Sequence, residues 1–457
     1  MRRRIAALVV LAAAWSVATA APALAHGLGG RVDLPVPRWL FVFGAGTALI
    51  VSFVALSALW TEPKFECRPA DPARPSLLQS VLTNRSLEWV VRLLALGLLV
   101  VVVIASLRRV SPTETIGPVV VFAWFWVGLT FAHALLGNLW ATLSPFDTIG
   151  RLASLDYRYE SPPRAYPKAW GRWPAAILLF GFVWIELVDP FADSLGSLGL
   201  VILAYVLITL AGMTVFGRRA WTENGEAFAV FFGLIARLSP LARDGEGRVI
   251  ARPPLAGLAE VEPAPGLLAL IMVALGSTTF DGLSRTNLWV SNTASLTGIE
   301  RVGVYTAGLL GVILLVAAAY SLAMAAAARV VGGPWHALAV RFAPSLVPIV
   351  LAYAVAHYFS FLLIEGQLGI VNASDPFDLG WDLFGTAGWS VNLALLSATL
   401  IWYVQVAVIV IGHIGGVVLA HDRAIALFDR AAAIRTQYAL LAVMVLFTAS
   451  GLLILSG

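Results

Sequence analysis

Apolar residues along this chain fall in unbroken runs, not in alternation. Stretches such as LFVFGAGTALIVSFVALSALW, LLALGLLVVVVIASL and AGLLGVILLVAAA are apolar all round the helical period. Such runs approach the roughly 20 residues that carry a helix across a bilayer core. Polar connections rich in Gly, Pro and Arg separate them. Ten spans follow, near 39–60, 89–107, 116–137, 174–188, 195–216, 266–281, 302–327, 343–364, 394–420 and 438–456. The fourth and sixth are short enough to be tilted or re-entrant. The pattern predicts an all-α polytopic membrane protein.

Composition agrees. Of 457 residues, 60% are hydrophobic and 12% charged, against about 25% charged in an average soluble domain. The one cysteine, Cys67, excludes an internal disulfide and a cysteine-cluster metal site. No P-loop, dinucleotide fingerprint or HExxH is present, and no G-x-S-x-G elbow points to a serine hydrolase. Basic residues are too dispersed for a nucleic-acid surface. Residues 1–25 read as a signal peptide: Arg2–Arg4, an apolar core, then Ala23-Leu24-Ala25 as a cleavage site. A cut after Ala20 and an uncleaved first span are the rivals. The Gly- and Pro-containing HGLGGRVDLPVPR that follows favours cleavage.

The positive-inside rule sets orientation. Arg151, Arg158, Arg164, Lys168 and Arg172 fill one connection, and Arg218, Arg219, Arg237, Arg243, Arg248 and Arg252 another. The alternate connections hold far fewer, such as Arg108 and Arg109, or Arg285 and Arg301. This predicts both mature termini outside a bacterial inner membrane. The chain then divides into a first membrane half (26–216), a cytoplasmic connection (217–265) and a second half (266–457). Within the connection, AFAVFFGLIARL reads as an interfacial helix along the inner surface.

Five spans per half would place the halves in opposite orientations, as in many secondary transporters. The third and eighth spans correspond. Each starts with Pro, carries Ala-His late (His133, His357) and is followed by Pro-Phe-Asp (Pro145–Asp147, Pro376–Asp378). Shared apolar composition and ordinary turn-starting Ser-Pro and Asp-Pro explain the likeness equally.

Ionisable groups inside apolar spans are costly and usually face a bundle interior or a wet cavity. His133, His357 and His413 lie within spans, and Glu365 follows the eighth. With Glu365 they form a candidate proton or solute path; interhelical hydrogen bonding is the alternative. Glu186, Asp189, Asp193, Asp375, Asp378 and Asp382 make an acidic outer rim able to attract cations, or simply solvated loop acids. Asp281, in GSTTFDGLSRT, is a candidate base or ligand beside Ser277, Thr278 and Thr279; it equally suits a helix cap or a pair with Arg285. Amine plus imidazole at a mature His26 terminus would chelate copper, but the five Met are few for copper handling. Gly412, Gly415 and Gly416 in GHIGGVVLAHDR would let another helix approach closely.

The segments AHGLGGRVDLPVPRWLFVFG, GSTTFDGLSRT, AHYFSFLLIEGQ, SDPFDLGWDLFG and GHIGGVVLAHDRA together resemble a group of bacterial polytopic proteins labelled fenitrothion hydrolase, a membrane-bound organophosphorus hydrolase. The resemblance spans nearly the whole mature chain. It implies water attack on the phosphorus of a small apolar ester, with loss of a phenolate. A divalent metal would suit such a reaction by acidifying bound water. The implied ligands are His357 with an acid among Asp189, Asp193, Asp281 and Asp375, and the implied proton acceptor is Glu365. Soluble phosphotriesterases carry His-x-His pairs, which this chain lacks. A secondary transporter or channel and a non-catalytic membrane scaffold remain the other readings.

Overall fold

The computed structural model describes residues 37–65, 71–72, 84–108, 114–155, 163–188, 196–244 and 248–456. Residues 1–25, expected to be a signal peptide, and His26, Cys67, Asp189 and Asp193 lie outside them. Ten principal helices follow in chain order: α1 (Arg38–Leu59), α2 (Arg85–Leu107), α3 (Ile116–Leu136), α4 (Trp173–Val188) and α5 (Ser197–Phe216), then α6 (Leu267–Ser284), α7 (Gly298–Val331), α8 (Val347–Ile364), α9 (Ala398–Leu427) and α10 (Arg430–Ser456). They coincide with the ten apolar runs. Among the described residues, nine helical segments are long and apolar enough to cross a membrane; α4, with 16 residues, is shorter. The chain is an all-α polytopic membrane protein, and its outward apolar side chains contact lipid.

Polar punctuation sets the helix ends. Asn84 caps α2 by accepting the amides of Ser86 and Leu87 at 2.9 and 3.1 Å. Gly332, at φ +77°, ends α7 and donates its amide to the Ala328 carbonyl at 2.8 Å. Inside α3, residues Val119–Gly128 widen into a π-helix, closed where the Leu129 amide reaches back five residues to the Trp124 carbonyl. After α8 the chain tightens into a 3₁₀ turn, Glu365–Gln367. The Gly366 carbonyl there accepts the Trp124 indole N–H at 3.0 Å, so the turn rests on the widened part of α3.

The chain forms two compact units that cut across its sequence halves. One contains residues 1–67, 271–357 and 397–457; the other contains 68–270 and 358–396. In the first unit, α10 packs along α1, α7 and α9, and α1 along α9. In the second, α2 packs on α5. Its small antiparallel sheet joins β1 (Asp71–Pro72), β2 (Leu241–Arg243) and β3 (Val249–Ala251), with β3 central.

The helix expected along the membrane surface is placed differently. Ala227–Ala236 is buried on nearly every side, with only Ala229 and Gly233 partly exposed. Its Phe228, Phe231 and Phe232 pack against Phe125, Trp126 and Phe182 of α3 and α4. The sequence looked amphipathic only because Arg237 follows an otherwise wholly apolar stretch.

Candidate functional site

In the first unit, α6 and α8 bring together Asp281 and His357. Asp281 Oδ2 lies 2.7 Å from His357 Nε2. The second oxygen, Oδ1, accepts from Arg285 Nε at 3.0 Å, four residues on and just past the end of α6. The side chains of Asp281 and His357 are 4% and 13% exposed, whereas that of Arg285 is 63% exposed. The triad therefore runs from an accessible guanidinium to a sealed carboxylate and then to an imidazole. The carboxylate fixes the ring's orientation and takes the proton on Nε2, which puts the basic lone pair of neutral His357 on Nδ1. A side chain at Gly282 would begin 4.0 Å from Nδ1 and collide with Ile454, so glycine is what lets α6 and the end of α10 approach beside the ring.

The neighbouring hydroxyls do not join the triad. Ser277 and Thr278 donate to the Ala274 carbonyl, and Thr279 to that of Leu275. Back-bonding of this kind satisfies a hydroxyl within its own helix. The sequence alternatives for Asp281 thus merge: it pairs with Arg285 and also orients an imidazole.

The other predicted residues have different surroundings. Glu365 is exposed on its 3₁₀ turn. Asp375 turns into its own loop, accepting the amides of Leu379, Gly380 and Trp381 at 2.8–2.9, 2.6 and 3.0 Å. Slight burial would raise its pKa, but these amide bonds outweigh that and lower it. Asp382 accepts from the Ala387 amide at 3.1 Å. These members of the expected acidic rim build their loop. Among the described residues, no group of three His, Cys, Asp or Glu side chains converges as a metal site.

His133 is committed to local bonds. A backbone carbonyl only accepts and a backbone amide only donates, so its partners define its tautomer. Nδ1–H donates to the Leu129 carbonyl at 2.6 Å, and Nε2 accepts the Trp140 amide at 2.9 Å. The ring stacks on Phe232 with centroids 4.5 Å apart. It is a satisfied core histidine. His413 differs: Nδ1–H donates to the Ile409 carbonyl at 2.9 Å, while Nε2 is buried without a hydrogen-bond partner. Its ring lies 5.9 Å from that of Tyr353, one turn before His357 on α8. Gly412 and Gly416 allow this proximity, since side chains there would meet the Pro348 and Ser345 carbonyls at 2.8 Å.

Two buried polar clusters were not assigned roles from sequence. Asp422, at the end of GHIGGVVLAHDR, accepts the Trp60 indole N–H at 2.9 Å and the amides of Lys64 and Phe65 at 2.6 and 3.2 Å. His421 Nε2–H donates to the Trp60 carbonyl at 3.1 Å. That motif clasps the chain leaving α1. In the second unit, Asp147 gathers three guanidiniums, from Arg92, Arg151 and Arg218. Arg92 also pairs with Glu88 at 2.8 Å. An arginine inside an apolar span was the available signal, though spacing alone does not identify its partner.

No protein family, curated protein or solved structure matches the chain.

Proposed function

We propose that the chain is a membrane-embedded hydrolase of apolar organophosphorus esters, with His357 as general base and Asp281 as the group that positions it. The observation behind this reading is the 2.7 Å carboxylate–imidazole contact, nearly sealed from solvent in the membrane helices. Substrate class rests on the resemblance of the five segments named above. In the reaction, His357 takes a proton from water as the water oxygen bonds to phosphorus. The bond from phosphorus to the aryl oxygen breaks, the phenolate leaves, and the imidazolium beside Asp281 returns the proton to the product or to solvent. A positioned general base contributes about 10²–10⁴-fold to rate.

The test is turnover of nitrophenyl phosphotriesters by the purified protein, with and without chelator, beside His357→Gln and Asp281→Asn. The expected result is a loss of about 10²-fold or more in kcat for His357→Gln, with folding retained. Unchanged turnover in that variant removes His357 from the reaction, and no turnover by the parent protein with any added divalent metal removes the hydrolase reading. Loss of turnover with chelator would add a cation at the site.

One observation favours a proton-coupled transporter instead: the unpartnered, buried Nε2 of His413, whose ring lies 5.9 Å from that of Tyr353, one turn before His357 on α8. Proton uptake into proteoliposomes that is abolished by His413→Leu, without ester turnover, would select that reading.

A further inference from the structure

Just before α4, in the second unit, stands an arginine that the protein itself leaves unsatisfied. The backbone of Arg172 is tied down: its amide donates to the Pro265 carbonyl at 2.7 Å. Gly171 (φ +45°) and Gly266 (φ +78°) permit that approach, because a side chain at either would strike the backbone of the other segment. The guanidinium is not tied down. Its Nε and Nη1 are buried and have no hydrogen-bond partner. Burying charged donors without acceptors is costly, and an arginine does not escape the cost by losing its proton.

The neighbouring charges sharpen the point. Arg237 donates to Glu260 at 2.6 Å, and Arg252 Nη1 lies 3.7 Å from the same carboxylate. Arg252 also donates to the Ser239 and Ala236 carbonyls at 3.2 and 3.1 Å. Glu260 is therefore shared by two arginines. Burial and then the charge of Arg237 lower the Arg172 pKa, and the pull of Glu262 acts against them as the smallest of the three effects. Three guanidiniums thus stand against two carboxylates. Trp170 and Trp173, 45% and 49% exposed, flank Arg172, and exposed Trp at a membrane helix end marks the membrane–water interface. We propose that Arg172, with Arg237 beside it, binds a phosphate group at the membrane surface. A phosphate oxyanion supplies the acceptors that the guanidinium lacks and balances the surplus charge. An anionic lipid headgroup and free inorganic phosphate both carry that chemistry. The site lies in a different compact unit from Asp281 and His357, so it stands or falls independently of the hydrolase reading.

The experiment offers the full chain two probes. Bilayers of equal phosphatidylglycerol and phosphatidylcholine are read by native mass spectrometry as lipid retained after extraction. Inorganic phosphate is read by titration calorimetry of the delipidated protein. Wild type is expected to retain phosphatidylglycerol in preference to phosphatidylcholine. Arg172→Gln is expected to lower that preference about fivefold, the worth of one cationic contact at an anionic surface. Glu262→Gln, at an exposed position, is expected to raise it by removing the competing acid, an opposite sign that a merely structural role for Arg172 would not give. Lipid preference without phosphate binding assigns the headgroup. Phosphate binding without lipid preference, lost in Arg172→Gln, assigns free phosphate. Equal retention of both lipids together with no phosphate binding overturns the proposal, as does binding of both probes unchanged in Arg172→Gln. If Arg172→Gln does not fold, Arg237→Gln takes its place with the same expected direction, and unchanged binding there overturns the proposal equally.

Discussion

Asp147 shows how far one side chain's partners decide its energetics. Burial pushes its pKa up, but the Arg151 hydrogen bond and the charges of Arg218, Arg151 and Arg92 outweigh this and lower it from 3.8. A carboxyl lowered in the folded state contributes stability that is present above its unfolded value and lost as pH falls through the folded one. That contribution is therefore intact at neutral pH and disappears below 3.8. Asp147→Asn leaves Arg92 buried with one acidic partner fewer, and is expected to cost about 3 kcal/mol at neutral pH. Its stability should also lack this acid-dependent loss, which thermal unfolding in detergent across that pH range would detect. The sequence supplied Asp147 as half of a repeat, beside Asp378. Yet Asp378 is exposed at φ +53°, and His133 and His357 likewise have unlike partners. Similar strings do dissimilar work here, because hydrogen-bond partners come from other helices that local spacing does not identify. His357 and Asp281 were individually legible as ionisable groups in apolar helices; their pairing was not.

Among the elements, membrane helices were the most legible, since a run of apolar residues near bilayer length has few alternative placements. Ala227–Ala236 was misread because a short apolar stretch beside an arginine fits either a membrane surface or a protein core. Phe232 decides between them. It is fully buried, stacks on His133, and has its ring 5.5 Å from Phe125 and 5.7 Å from Trp140. Phe232→Ala should therefore cost about 3–5 kcal/mol, the range for deleting a core aromatic. A surface-lying helix would lose far less. Thermal unfolding of the purified variant measures the difference. The widening of α3 was also invisible in sequence: VVVFAWFWVG suits an α-helix and a π-helix alike, and the contact between Trp124 and Gly366 involves residues far apart in the chain.

At the scale of the whole molecule, the placement of α4 fixes the parity of the topology. Its 16 residues extend about 24 Å at 1.5 Å per residue, short of a bilayer core of about 30 Å. Length alone would permit a re-entrant segment. Two contacts in the second unit argue for a crossing. The Arg164 amide reaches the Val215 carbonyl near the end of α5 at 3.1 Å, and the ring of Trp170, just before α4, lies 5.5 Å from that of Phe216, the last residue of α5. The start of α4 and the end of α5 thus meet at one end of the unit, so the two helices run antiparallel. A thinner bilayer beside α4, or anchoring by its flanking residues, would accommodate the short helix at modest cost. Charge agrees, because only this arrangement puts Arg164, Lys168 and Arg172 on the same side as Arg218, Arg219 and Arg237. In a Cys67→Ser background, single cysteines at Lys168 and Glu223, both exposed, should react with a membrane-impermeant maleimide from the same side. They should be protected in intact cells and labelled in inverted vesicles. Labelling from opposite sides would make α4 re-entrant and shift every later connection to the other face.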